Sequence, residues 1–296
     1  MAPRSERLLA VGALKLCAAR DDEDKGACPL LLIGGLGMQL TAWPAGFLDA
    51  LAEAGFAPIV YDHRDTGRST VLAEAGAPDL LRALRRDRSR LAYGLEELAD
   101  DAAGLLGALG VPRAHVLGIS MGAMVAQLVA LRHPDKVLSL CSMMGSTGRR
   151  GVGQASNAAL AVLLRGGQVD EDGAVALRIT QRQVTAGPNE AIDASRVEAA
   201  ARAQFQRGHH AEGSARQLAA ILAAEDRTEA LGTLSVPTLV VHGDADEMVD
   251  PSGGVATAEA VPGARLLMVP GMGHGLPSGR WEELVRAITA NAGVAG

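Results

Sequence analysis

The sequence predicts an α/β fold: a mostly parallel central sheet with helices on both faces and an inserted helical segment. Three observations carry the prediction. Short aliphatic runs recur at CPLLLIGG (28–35), APIVYD (57–62), AHVLGIS (114–120), KVLSLCSMM (136–144), VPTLVVHG (236–243) and ARLLMVPG (264–271), the pattern of strands buried on both faces. Stretches with apolar residues at helical spacing stand between most of them, and such alternation implies parallel strands joined by crossover helices. From 145 to about 231 the aliphatic runs cease, and Ala-, Arg- and Gln-rich helical stretches broken by GG, DG and GP replace them. The expected division is a core over 1–144, a helical cap over 145–231 and the rest of the core over 232–296.

The elements follow in order. Residues 5–20 read as two short strands turning at Val11-Gly12, an edge hairpin, and DDEDKG (21–26) as a polar turn. The first buried strand ends in glycines; a helix over 43–54 and a second buried strand come next. After a segment rich in Arg and Asp (64–90), LEELADDAAGLLGALG (95–110) carries leucines at helical spacing and a glycine at its C-terminal end. A strand, the helix MGAMVAQLVALRHP stopped before Pro134, and another strand lead into the insertion. Two further strands and the helix WEELVRAITANA (281–292), apolar at i, i+3/i+4 and i+7, complete the chain.

Composition narrows the function classes. Of 296 residues 48% are hydrophobic and 21% charged, as in ordinary globular proteins, while 2% aromatics leave the core to Leu, Val, Ile, Ala and Met. A net charge of −6 lacks the basic footprint of a nucleic-acid binder. Cys17, Cys28 and Cys141 are odd in number and none has a partner at metal-ligand spacing, so all three read as small apolar residues in or near strands. With no A-x-A cleavage site near the start and no apolar run approaching the ~18 residues of a membrane span, a soluble cytoplasmic protein is expected.

Gly118, Ser120 and Gly122 form G-x-S-x-G between a strand and a helix. In so tight a turn a Cβ at either glycine would strike neighbouring backbone, while the serine hydroxyl is lifted clear of the sheet and the Met121 N–H aims at what it attacks. A serine nucleophile needs a base held by a third group. His115 and His133 read as structural; His63 sits between Asp62 and Arg64 as in a charged loop, and His242 ends a strand. His209 and His210 are adjacent, which places them on different helix faces and argues against a metal pair. His274, in PGMGHG directly after the last strand, can return over the sheet and is the best base. Asp244, Asp246 and Asp250 of HGDADEMVDP all lie where the orienting carboxylate must lie.

On these motifs the chain resembles the α/β-hydrolase superfamily over nearly its whole length. Gly118–Gly122 matches the family's nucleophile elbow, and Gly271-Met272-Gly273-His274 matches its base loop. Gly243-Asp244-Ala245-Asp246-Glu247-Met248-Val249 matches its G-x-x-D-x-x-V acid turn, which implies Asp246 as the acid. Gly34-Gly35-Leu36 occupies the oxyanion turn, with glycine where many members carry histidine; the Leu36 N–H would join that of Met121 in the oxyanion hole. The stretch Tyr61-Asp62-His63-Arg64-Asp65-Thr66-Gly67-Arg68-Ser69, with GMGH followed by Leu276 and Pro277, is similar to aclacinomycin methylesterase-like bacterial carboxylesterases, and reads as a brace near the site.

The resemblance implies hydrolysis of a small-molecule ester through an acyl-enzyme on Ser120, with His274 as base and Asp246 orienting it, and no metal or organic cofactor. Leu163, Leu164 and Phe205 of the insertion, with Gly35, Met272 and Leu276 of the core loops, are the candidates for substrate binding. A cofactor-free haloperoxidase or perhydrolase would use the same triad with peroxide in place of water. A non-catalytic ligand-binding protein on the same scaffold is the alternative from another class.

Overall fold

The computed structural model describes residues 5–20, 26–165 and 169–294; the polar turn expected at 21–26 lies outside them except for Gly26. The described strands are β1 (Ser5–Val11), β2 (Leu14–Arg20), β3 (Cys28–Ile33), β4 (Phe56–Tyr61), β5 (Ala114–Ile119), β6 (Val137–Met143), β7 (Thr238–Gly243) and β8 (Arg265–Val269). They form one sheet in the order β1-β2-β4-β3-β5-β6-β7-β8. The expected hairpin is the antiparallel β1–β2 pair at one edge; β2 joins β4 antiparallel, and the pairings from β4 to β8 are parallel.

The helices are α1 (Ala45–Glu53), α2 (Leu80–Leu84), α3 (Leu95–Ala108), α4 (Met121–Arg132), α5 (Asn157–Leu163), α6 (Glu171–Thr185), α7 (Ala194–Gly208), α8 (Ala211–Leu222), α9 (Thr228–Leu231), α10 (Ser252–Ala260) and α11 (Trp281–Ala292). The two-residue period of the strands divides the core between the sheet's faces. Leu31, Ile33, Val116 and Leu140 enter one apolar cluster with Leu98 and Leu105 of α3 and Val125 and Val129 of α4. Their neighbours Leu30, Leu32, Leu117 and Cys141 enter the other, with Phe47 and Leu51 of α1 and Leu284 and Ile288 of α11. Burial on both faces is why these strands read as continuous aliphatic runs.

Parallel register gathers the strand ends. Ile33 stands opposite Gly118, Ile119 opposite Met143, and Gly243 opposite Val269. The segments after β3, β5, β7 and β8 therefore leave the sheet on the same side, where ligands of open α/β sheets bind. Between β6 and β7 the described residues form α5 to α9 and no strand.

Candidate active site

Ser120 sits between β5 and α4 at φ 57°, ψ −123°, a conformation that L-residues rarely hold without support. Its neighbours leave no room for relaxation. A Cβ on Gly118 would lie 2.0 Å from the Gly122 carbonyl oxygen, and one on Gly122 would lie 2.0 Å from that of Ile33. Both glycines are thus required by backbone contact, and the Ser120 N–H donates to Met143 O at 2.9 Å. Met121 opens α4, where a first-turn N–H has no partner within the helix. Gly35 packs against the serine: a Cβ there would be 3.3 Å from Ser120 Cβ and 3.7 Å from Oγ.

The three aspartates after β7 are separated by burial. Asp244 and Asp250 are exposed and hold turns, accepting from the N–H groups of Gly271 at 2.6 Å and Ser252 at 2.9 Å. The Asp246 carboxylate is buried; Oδ1 accepts from the N–H groups of Met248 (2.8 Å) and Val249 (2.9 Å), and Oδ2 lies 2.7 Å from His274 Nδ1. Burial alone would raise its pKa, but hydrogen bonding to His242 and His274, together with the backbone N–H groups, holds it well below the usual carboxylate range. An ionised Asp246 fixes the proton of neutral His274 on Nδ1 and leaves Nε2 as the basic nitrogen. His242, fully buried, has its Nε2 2.8 Å from Val249 O and 3.4 Å from Asp246 Oδ2. Both are acceptors, so that nitrogen carries the proton.

The segment after β4 braces the turn after β3. Asp62 Oδ1 accepts from Leu40 N–H at 2.7 Å and Oδ2 from Arg68 N–H at 3.0 Å. His63 is not in an open charged loop: it is buried, with Nε2 3.1 Å from Gly34 O and Nδ1 3.3 Å from the Tyr61 hydroxyl. Burial pushes its pKa down to about 4 against the opposing Gly34 hydrogen bond, so the ring is neutral and donates to Gly34. Arg64 binds both carboxylate oxygens of Asp101, each at 2.7 Å.

Sequence reasoning missed the residues that join the inserted helices to these loops. Arg216 of α8 binds both oxygens of Asp65 at 2.8 Å, with 2% and 0% of the two side chains exposed. Gln217 accepts from Gly37 N–H at 2.8 Å and donates to Arg64 O and Thr66 Oγ1. Arg207 of α7 reaches Asp62 Oδ2 at 2.7 Å and also Glu6 and Gln39. At the end of α6, Thr185 O accepts from His274 N–H at 2.7 Å. A Cβ on Gly273 would lie 2.2 Å from that same oxygen, so the insertion seats the histidine loop directly.

A cavity of about 230 Å³ lies between α5–α8 and the loops after β3 and β4. Leu36, Leu163, Leu164 and Phe205 are on its wall; Ser120, Asp246 and His274 are not, and Leu36 is the residue it shares with the Gly34–Leu36 turn after β3. Of the other binding candidates, Gly35 abuts Ser120, whereas Met272 and Leu276 pack into the apolar cluster under α1 and α11. His209 stacks on Phe205 with ring centroids 5.0 Å apart, while His210 lies 2.9 Å from Gly67 O, so the adjacent pair diverges. His115 and His133 bond Ser139 and Asp100, away from these loops. The three cysteines are free. No helix among the described residues is long and apolar enough to cross a membrane.

Comparison with known proteins identifies the family. Residues 29–277 match the model of the alpha/beta hydrolase fold family. The chain is 30% identical to rhodomycin D methylesterase DauP of Streptomyces sp. (strain C5), across 90% of this chain and 92% of that protein. It is 29% identical to rhodomycin D methylesterase DnrP of Streptomyces peucetius, over the same shares of the two chains. The enol-lactonase of Burkholderia xenovorans LB400 superposes with a TM-score of 0.75 at 24% identity, covering 96% of this chain and 99% of that one, a likeness of fold. The chain belongs to the alpha/beta hydrolase fold family.

Proposed function

We propose that the chain is a serine carboxylesterase that hydrolyses a carboxylic ester of a small alcohol such as methanol, using Ser120, His274 and Asp246. The observation that carries this reading is Ser120 itself, a non-glycine residue held at positive φ between two glycines whose Cβ positions are filled by backbone. Strain of this kind costs about 1–3 kcal/mol and clusters at active sites, which supports a functional role for Ser120. The two methylesterases named above support the substrate class.

In the proposed reaction His274 Nε2 takes the Ser120 proton as Oγ attacks the ester carbonyl. Asp246 holds the tautomer and stabilises the imidazolium. The Met121 and Leu36 N–H groups receive the oxyanion, each worth about 3–4 kcal/mol in comparable sites. Within the Leu36 turn, the N–H groups of Gly37, Met38 and Leu40 are already bound by Gln217, Gly35 O and Asp62, which favours Leu36 as the donor left for substrate. His274 then protonates the leaving alcohol, and a water activated by the same imidazole releases the acid. The inserted helices act as a cap whose cavity admits the apolar part of the substrate.

The test is turnover of methyl and p-nitrophenyl esters of varied acyl length by the wild type and by Ser120→Ala, in water and with added peroxide. Hydrolysis abolished by Ser120→Ala supports the reading. Faster reaction with peroxide than with water makes the chain a perhydrolase, and ester binding without turnover makes it a binding protein.

A further inference from the structure

The wall of the cavity under α5–α8 carries one cation without a counter-ion. Arg178 of α6 lines it, partly buried, and Nη1 donates to the neutral Gln181 Oε1 at 3.0 Å. Among the described residues no carboxylate lies within ion-pairing distance of this guanidinium. Neighbouring arginines are matched: Arg182, one turn on, with Glu190; Arg207 with Asp62; and Arg216 with Asp65. Burial and the like charge of Arg182 both push Arg178 below its ordinary pKa, the direction expected of a guanidinium with no anion beside it. It stays charged at neutral pH all the same.

The other titratable groups on the wall do not answer that charge. Asp65 already receives Arg216 and the Tyr93 hydroxyl. Burial pushes the pKa of His209 down, toward the neutral ring, and His210 is engaged with Gly67 O. Leu36, Val162, Leu163, Leu177 and Leu218 make much of the remaining wall apolar. An unpaired charge facing such a surface is costly unless a ligand supplies its partner.

We propose that Arg178 is an anion subsite and that the substrate is a half-ester, a carboxylic ester whose acyl part carries a second, free carboxylate at its far end. This rests on the esterase reading above. With a small leaving alcohol, an anion at the cavity end must belong to the acyl part. The planar guanidinium fork matches a carboxylate, and a single unmatched cation suits a single negative charge better than a phosphate dianion. Apolar methylenes then span the wall between the Leu36 turn and Arg178. Hydrolysis adds water across the acyl C–O bond and yields a dicarboxylate and the alcohol.

The test is the ratio of kcat/KM for methyl hydrogen adipate to that for methyl adipamate, whose terminal amide is nearly isosteric and uncharged, repeated for chain lengths from succinate to suberate. The wild type is expected to favour the acid at one length by at least about tenfold, the margin of a charge-assisted hydrogen bond over a neutral one. Arg178→Gln should bring the ratio near one, and Arg178→Lys should restore part of it. A wild-type ratio near one at every length, or a high ratio that survives in a folded Arg178→Gln, overturns the proposal. If no ester of either kind is turned over, the esterase reading has failed, and calorimetric titration with adipate decides the subsite by itself. Adipate binding weakened at least about tenfold by Arg178→Gln sustains an anion site; absent or equal binding overturns it.

Discussion

Replacing Asp246 by Asn separates orientation from shape. The side chain keeps its volume, and the amide oxygen can still accept from Met248 and Val249 at the 2.8 and 2.9 Å positions of Oδ1. The amide NH₂ must then occupy the Oδ2 position, 2.7 Å from His274 Nδ1. Facing a donor, Nδ1 presents its lone pair, and the imidazole proton moves to Nε2, the nitrogen that the proposed reaction needs free to take the Ser120 proton. The wrong tautomer and the lost charge together should lower kcat by about 10,000-fold, or about 5.5 kcal/mol of transition-state stabilisation. Asp244→Asn is the matched control, because its exposed carboxylate holds only the Gly271 N–H and an amide oxygen can do the same. The assay is kcat/KM for p-nitrophenyl acetate, with circular dichroism to show that both variants fold. A smaller loss in Asp246→Asn than in Asp244→Asn, or an Asp246→Asn enzyme within tenfold of wild type, would refute the reasoning.

Other consequences concern the seam, the buried histidine and the cavity. Arg216→Met leaves the Asp65 carboxylate buried without its guanidinium and should cost about 3–5 kcal/mol in urea unfolding; a loss under about 1 kcal/mol would show that water or movement of α8 compensates. His63 is held neutral with its pKa pushed down to about 4, whereas an unfolded His titrates near 6.5. The unfolded chain thus binds the extra proton between those values. Stability is present above pH ~6.5 and falls as pH drops toward about 4, by at most ~1.4 kcal/mol per pH unit. His63→Gln should flatten that part of the profile, and an unchanged slope would locate the effect elsewhere. In an acyl-length series each methylene that fits the cavity should add about 0.8 kcal/mol to kcat/KM. Phe205→Ala should change that slope, and a uniform loss across the series would mean the cavity does not select the acyl chain.

Much of the scaffold was legible because burial on both faces leaves a local signature. β3, β5 and β7 stand where aliphatic runs stand, and α11 spans 281–292 as its apolar spacing predicts. Predicted strands overran by one or more residues at their ends, since glycines such as Gly34 and Gly35 leave the sheet for the site while still looking strand-like. The serine turn was legible only in part for a local reason: Gly118 is dictated by the backbone of Gly122 and Ala123, whereas Gly122 is dictated by Ile33 and Gly34 at the end of β3. Composition could not rank the three aspartates, because it cannot tell an exposed turn carboxylate from one facing an imidazole 28 positions on. Arg207, Arg216 and Gln217 carry no local pattern, as their partners lie more than a hundred residues away. The short α2 was hidden within the charged segment 64–90, where no apolar periodicity marks it, and the partners of Arg64 and Asp65, Asp101 and Arg216, lie 37 and 151 positions away.

The central claim is that Ser120 is the nucleophile, and covalent capture tests it most directly. A fluorophosphonate ester probe should add one equivalent per chain by intact-mass spectrometry, with peptide mapping placing the adduct on Ser120. Asp246→Asn should slow the labelling and Ser120→Ala should abolish it. An adduct on another residue, or hydrolysis that persists in the Ser120→Ala protein, would contradict the account.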